Sequence, residues 1–115
     1  MIEIKSRVKD GRYKLSVKGH AGSDEKGRDT VCAAVSALVY TLAQNIKDCE
    51  KSGMIEKDPT VRLNEGDSYL SYRPKKGHEQ STLILFLGIQ RGLELLQSNH
   101  PQYVHIQSLV TPVTE

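Results

Sequence analysis

His20 and Cys32 are the two residues of this chain whose types and spacing fit nucleophilic chemistry. His20 follows a strand-like run, and Cys32 falls near the start of a helix-like run. The loop that joins them, residues 21–28, is rich in glycine and charge, which is typical of a segment that responds to a substrate. A cysteine attacks as the thiolate, and both a helix N-terminus and a nearby imidazole favour that form. The sequence therefore predicts a catalytic dyad of His20 and Cys32.

Two further polar residues are expected beside Cys32. Asp29 is a good helix N-cap, which would make Cys32 the third helical residue, beside backbone N–H groups without a partner in the helix. Ser36 comes four residues after Cys32 and so shares its helix face. Asp29, Cys32 and Ser36 would then form one short polar stripe. A cysteine early in a helix is most often a small buried hydrophobic residue, so spacing alone leaves a structural role open.

Hydrophobic periodicity predicts the elements that must position this stripe. The first helix has one apolar face, whereas the second is apolar over more than half of its surface and is expected in the core or at a subunit contact. The order ββαββαβ predicts a single α+β domain over residues 1–115, with two helices on one layer of mostly antiparallel sheet. The predicted elements are strands around 2–8 and 13–18, a helix from 30 to about 49, strands around 61–63 and 69–73, a helix over 79–98, and a strand around 104–110.

Composition excludes several classes of function. The 16 Lys and Arg residues nearly balance the 14 Asp and Glu residues, so direct contact with nucleic acid is not expected. The chain has no apolar run long enough to span a membrane and no signal-peptide core, so a cytoplasmic protein is expected. Cys32 and Cys49 lie too far apart along one helix to form a disulfide. The four histidines show no ligand spacing with either cysteine, and no metal or cofactor is expected.

The region around the dyad resembles a known family. The matching runs are Gly19-His20-Ala21, Gly27-Arg28-Asp29 and the run Val-Cys-Ala-Ala-Val-Ser over 31–36. Together they resemble the signature of the ribosomal-processing cysteine proteases, the Prp family. The second half of the chain is similar to that family in pattern more than in identity. The resemblance therefore covers essentially the whole chain.

This resemblance implies a function and residues that carry it. His20 and Cys32 would be the catalytic dyad, and Asp29 and Ser36 would match the supporting positions of the family. The enzyme would be a homodimer that removes a short N-terminal extension from a large-subunit ribosomal protein, with cleavage after an aromatic residue. A phage structural protein is an alternative substrate. Whether His20 touches Cys32 before a peptide binds stays open.

Two alternatives from other classes remain at this point. The first is a non-enzymatic ribosome- or RNA-associated module, whose footprint would be the basic residues of the first hairpin. Such residues are also ordinary protection of an exposed sheet edge. The second is a redox sensor built on Cys32, although Cys49 is several helical turns away and a poor resolving cysteine. The footprint residues are Lys5, Arg7, Lys9, Arg12, Lys14 and Lys18.

Overall fold

The computed structural model describes residues 1–19 and 28–109, and of Arg28 and Asp29 it describes only the backbone. The predicted ββαββαβ order is confirmed over this part of the chain. His20, the loop after it and Val110, which the final strand was expected to reach, lie outside the described residues. The elements are β1 (Ile2–Lys9), β2 (Arg12–Lys18), α1 (Arg28–Lys51), β3 (Thr60–Asn64), β4 (Asp67–Tyr72), α2 (Glu79–Asn99) and β5 (Val104–Leu109).

The five strands form one mixed sheet with the order β3-β4-β2-β1-β5. Three of its four strand pairings are antiparallel, and the pairing of β1 with β5 is parallel. The fold is therefore α+β with a mostly antiparallel sheet, as predicted. β1 and β2 are interior strands of this sheet rather than edge strands.

Both helices pack on one face of the sheet. The inward residues of β1 and β2 include Ile4 and Leu15, which are fully buried, whereas their neighbours along each strand point away from the helices. The predicted apolar face of α1 enters the core, where Val35 and Leu42 are buried. Ser6 interrupts the apolar side of β1, and its buried hydroxyl donates to Oε1 of Gln90 on α2 at 2.6 Å.

An aromatic cluster closes the core at the end of β2 remote from Gly19. The rings of Tyr13 and Tyr72 lie 4.9 Å apart, and Phe86 of α2 packs edge-on against both. The Tyr72 hydroxyl donates to the carbonyl oxygen of Thr82 at 3.0 Å, and burial raises the pKa of this phenol. These contacts fix the first turn of α2 against the sheet.

The predicted N-cap at Asp29 is wrong. α1 begins at Arg28, so Asp29 lies in the first helical turn and Cys32 is the fifth helical residue rather than the third. Arg28 is a good helix former, and a carboxylate in the first turn is stabilised by the helix dipole, so the helix can begin before Asp29.

No helix in residues 1–19 and 28–109 is long and apolar enough to cross a membrane.

Candidate active site

A cavity of about 570 Å³ lies between the N-terminal half of α1 and the turn that joins β3 to β4. Its volume is in the range of about 300–1,000 Å³ that is usual for ligand pockets. It opens on the helix side of the sheet, at the end opposite the aromatic cluster. The described residues that line it are Ile2, Val17, Gly19, Cys32, Ala33, Val35, Ser36, Val39, Tyr40, Asn64, Glu65, Gly66, Asp67 and Ser68.

The wall formed by α1 carries the predicted nucleophile. Cys32 is half-buried, packs against the hydrophobic core and lines the cavity. Ser36 lies one turn later on the same wall, so these two residues of the predicted polar stripe share the cavity. The side chain of Asp29, the third residue of the stripe, is not described. The helix thus presents a thiol and a hydroxyl side by side to whatever occupies the cavity.

The hydroxyl of Ser36 makes no hydrogen bond to any described residue. Thr41 of the same helix behaves differently, since its hydroxyl donates to the carbonyl oxygen of Ala37 at 2.7 Å. Hydroxyls inside helices commonly bond in this way to the preceding turn. The Ser36 hydroxyl is therefore available to bind a ligand in the cavity. A serine with only a packing role in the helix would not need its hydroxyl to be available in this way.

The chain reaches His20 from the wall of this same cavity. Gly19 lines the cavity, and its N–H donates to the carbonyl oxygen of Gly66 at 3.0 Å. Its φ of +104° is a conformation that residues with a Cβ rarely adopt. A Cβ at this position would lie 2.3 Å from the carbonyl oxygen of Met1. Gly19 thus packs closely between Met1 and the β3–β4 turn.

The turn between β3 and β4 supplies the opposite wall. Asn64 ends β3 and Asp67 begins β4, so Glu65 and Gly66 form a two-residue hairpin turn. Glu65 is exposed at the cavity, and Asp67 is ion-paired with Arg62 at 3.2 Å. This wall is polar and acidic, in contrast to the apolar floor formed by Ile2 and Val17.

The run Asn64-Glu-Gly-Asp67 is typical of a turn, but nothing in the sequence connects it with Cys32. The connection depends on the pairing of β2 with β4, which sets Lys18 opposite Asp67 and so brings Gly19 to Gly66. The turn sequence locates the β3–β4 hairpin, but no local signal in the sequence specifies that β4 pairs with β2. The role of Ile2 in the cavity floor was missed for the same reason.

The second cysteine and the acidic groups offer no competing site among the described residues. Cys49 is buried in the core, where burial, with a smaller contribution from Asp48, raises the pKa of its thiol. Both cysteines are free, as predicted. The part of the chain that the structure describes contains no group of three or more His, Cys, Asp or Glu residues that could hold a metal ion.

Solved structures share this fold. The ribosomal processing protease Prp from S. aureus, in complex with a substrate peptide, matches with a TM-score of 0.68 and 18% identity, over 94% of this chain and 99% of that one. The same protease with a covalently linked product peptide gives a TM-score of 0.66 and 19% identity, with the same coverage. A Streptococcus mutans protein gives 0.67 and 25% identity, over 96% of both chains. A comparison with curated proteins found no match.

A family model completes the assignment. The model described as cysteine protease Prp matches residues 1–105, which include the two segments 1–19 and 28–36 that meet at the cavity. This agreement between the fold, the cavity and the family model excludes the non-enzymatic module and the redox sensor as descriptions of the whole chain. The chain belongs to the Prp family of cysteine proteases and is a hydrolase.

Proposed function

We propose that Cys32 is the nucleophile and His20 the general acid and base of an endopeptidase. The observation that carries this proposal is the position of Cys32, half-buried in the wall of a peptide-sized cavity in a chain of a cysteine protease family. His20 follows Gly19 directly, and consecutive Cα atoms are about 3.8 Å apart. Because Gly19 lines the cavity, we expect His20 to lie within reach of it.

The reaction follows from these two groups. The Cys32 thiolate attacks the scissile carbonyl carbon, a C–S bond forms, and the carbonyl oxygen becomes an oxyanion stabilised by backbone N–H groups. As the C–N bond breaks, the His20 imidazolium gives its proton to the leaving amine. Neutral His20 then takes a proton from water, which attacks the thioester and releases the new carboxyl terminus and the thiolate. No net proton or electron is consumed by the enzyme.

Asp29 and Ser36 support this pair in different ways. Asp29 lies in the first turn of α1, three residues before Cys32, and its proposed role is to orient the imidazole of His20. The Ser36 hydroxyl lines the cavity and makes no hydrogen bond to a described residue, so it can bind the backbone of a peptide. We expect loss of either side chain to weaken catalysis less than loss of His20 or Cys32.

The substrate that fits best is an N-terminal extension of a large-subunit ribosomal protein. The likeness to a protease whose solved structure holds a substrate peptide, and which is described as ribosomal processing, supports this substrate class. A phage structural protein remains the second candidate. A ribosomal substrate would place the enzyme in the cytoplasm, where ribosomes are assembled.

The enzyme is also proposed to work as a homodimer. Two large apolar side chains of α2, Ile84 and Leu95, are 62% and 58% exposed. They are eleven residues apart, which is close to three helical turns, so they share one outer face of α2. A second copy of the chain would cover this face, in keeping with the strongly apolar pattern of the helix.

The cleavage proposal can be tested with the extended ribosomal protein as substrate and mass spectrometry as the readout. Wild-type enzyme should remove the N-terminal segment, whereas Cys32→Ala and His20→Ala should each slow cleavage by about a thousandfold or more. Cys49→Ala and His105→Ala are matched controls, since both lie away from the cavity, and should cleave at nearly the wild-type rate. Cleavage by Cys32→Ala at the wild-type rate would contradict the assignment.

A further inference from the structure

The face of the sheet opposite the helices carries an unbalanced cluster of positive charge. Lys5, Arg7 and Lys9 point outward from β1, and Arg12 and Lys14 point outward from β2 beside them. These five residues, here called the basic face, belong to a chain with nearly equal numbers of basic and acidic residues. The small net charge of the chain therefore does not mean that charge is spread evenly over its surface.

Protection of a sheet edge does not explain this cluster. Charged residues on edge strands prevent edge-to-edge association, and the basic residues of the first hairpin would have this role if β1 or β2 lay at an edge of the sheet. The sheet order β3-β4-β2-β1-β5 places β1 and β2 in the interior, where their backbone groups already pair on both sides. Protection of a sheet edge therefore does not account for the positive charge of the basic face.

The register of the hairpin makes the cluster costly. Arg7 lies directly opposite Lys14, and Lys9 lies directly opposite Arg12. Like charges in directly opposed positions destabilise a sheet by repulsion. Across the described residues, none of the five basic side chains forms an ion pair with a carboxylate. An anion bound at this face would remove the repulsion.

The other end of the same face is built differently. Glu3 is 2.9 Å from His105, and Asp67 is 3.2 Å from Arg62. Lys18 faces Glu3 on one side and Asp67 on the other. Charge on this face is thus balanced near the cavity and left unbalanced at the far end, so positive charge is not a general property of the outer surface.

The surroundings of the basic face favour binding of a phosphate backbone over binding of a membrane surface. In register with it, β5 presents Gln107 and Leu109, and the buried hydroxyl of Ser71 on β4 accepts a hydrogen bond from Arg12 at 3.0 Å. Leu109 is the single apolar residue among these, whereas binding to a bilayer surface requires a buried apolar side as well as positive charge. The aromatic residue of this face, Tyr69, is stacked under Arg62 at 5.7 Å, which disfavours a platform for unstacked bases.

We propose that the basic face binds the phosphate backbone of double-stranded RNA. The five strands span about 20 Å at the usual strand spacing, and in the described part of the chain no helix lies on this face that could enter the major groove of DNA. Double-stranded RNA is recognised mainly through its shape and its backbone. The choice of RNA rests on the proposed function, because a ribosomal-protein substrate is presented beside RNA. The cavity lies on the other face, so peptide and RNA can be held together.

The test measures binding and cleavage separately. Fluorescence anisotropy would follow a labelled RNA hairpin of about 20 base pairs, between about 50 and 200 mM salt. The protein would carry Cys32→Ala, with and without Lys5→Glu plus Lys14→Glu. This pair should weaken binding about tenfold or more and lower the log–log salt slope by about 2. The control pair Lys47→Glu plus Lys51→Glu on α1 makes the same change in net charge and should leave affinity within about twofold.

Each alternative outcome contradicts the proposal in a different way. Equal losses in the two variant pairs would reduce the effect to net charge and overturn a specific face. Tighter binding to a DNA duplex of the same length, or binding to phosphatidylserine vesicles without binding to RNA, would overturn the choice of RNA. Thermal denaturation of Lys14→Glu alone should show no loss of stability, because Arg7 would then face a carboxylate.

Cleavage of a short free peptide separates this proposal from the proposed function. In the active enzyme, Lys5→Glu plus Lys14→Glu should leave that rate unchanged, since neither residue lines the cavity. A protein that cleaves the peptide but does not bind RNA overturns the RNA proposal alone. A protein that binds RNA but cleaves no peptide overturns the endopeptidase alone.

Discussion

Cys32 and Cys49 lie on the same helix in opposite environments. Cys32 is half-buried at a cavity, whereas Cys49 is only 7% exposed within the core. Burial raises the pKa of the Cys49 thiol, and Asp48 adds to this effect, so its reactive thiolate is scarce near neutral pH. The chain therefore contains its own reference thiol for Cys32.

At about pH 6, Cys32 should react with iodoacetamide much faster than Cys49. Access through the cavity favours reaction at Cys32, and burial disfavours it at Cys49. Mass spectrometry of tryptic peptides over a time course would measure both rates in one sample. Equal rates at the two sites would contradict an activated Cys32, and a denatured sample, in which both thiols are exposed, serves as the control.

Gly19→Ala tests whether cleavage depends on the backbone position of Gly19, which precedes the proposed acid and base His20. The φ of +104° costs an alanine roughly 1–2 kcal/mol, and its Cβ would also collide with the carbonyl oxygen of Met1. We expect lower stability in denaturant and a loss of cleavage that exceeds the loss of folded protein, because His20 follows this residue.

Gly53→Ala is the matched control for that change. Gly53 has a φ of +73°, but nothing lies within 4 Å of the position of its Cβ. It should therefore show the backbone cost without the collision and keep its activity. Equal effects of the two substitutions would mean that the close packing of Gly19 between Met1 and Gly66 has no role in the site.

Among the elements, β1 and α2 are tied by a buried hydrogen bond. Ser6→Ala should cost about 1–3 kcal/mol of unfolding free energy, because the Gln90 amide would stay buried without its donor. Adding Gln90→Met should recover most of this loss, since both polar groups would then be absent. Urea denaturation would measure the cycle, with Ser81→Ala at an exposed position as the control. Additive effects of the two changes would argue against the bond.

The types and the order of the elements could be predicted because each has a clear period. Alternation in β1 and β2, and apolar steps of three and four in α1, depend on local burial and are visible in any short window. The start of α1 was off because Asp29 fits both an N-cap and a first turn. The antiparallel pairing of β1 with β2 was predicted as a hairpin and is confirmed. The pairings of β2 with β4 and of β1 with β5 were not predicted, since Ile2 pairs with Val104 across most of the chain.

The site was predictable to the same depth. Cys32 and Ser36 share a helix face by spacing alone, and the cavity contains both. The opposite wall, from Asn64 to Ser68, depends on the pairing of β2 with β4 and carries no local signature of its role. The basic face could not be predicted for a similar reason, because the net charge of the chain does not reveal which charged residues lie on the same face of the sheet.

For the whole molecule, the exposed apolar face of α2 predicts self-association. Ile84→Glu plus Leu95→Glu should convert a dimer into a monomer at micromolar concentration, because two charges would be desolvated in the contact. Light scattering would measure the mass, and circular dichroism would verify the fold. A wild-type mass of one chain would contradict the dimer. Lys47→Glu plus Lys51→Glu provides a control of equal size on the other helix.

The parallel pairing of β1 with β5 has a consequence for how the protein folds. The two hairpins can form early from neighbouring residues, but β1 is complete only when Val104 and the residues after it reach Ile2. Contacts of such long sequence separation form late, after the entropy of closing a long loop has been lost. Ile2 also belongs to the cavity floor. The protease therefore cannot complete its own cavity until β5 has been synthesised and has paired with β1, which delays activity until this late step of folding.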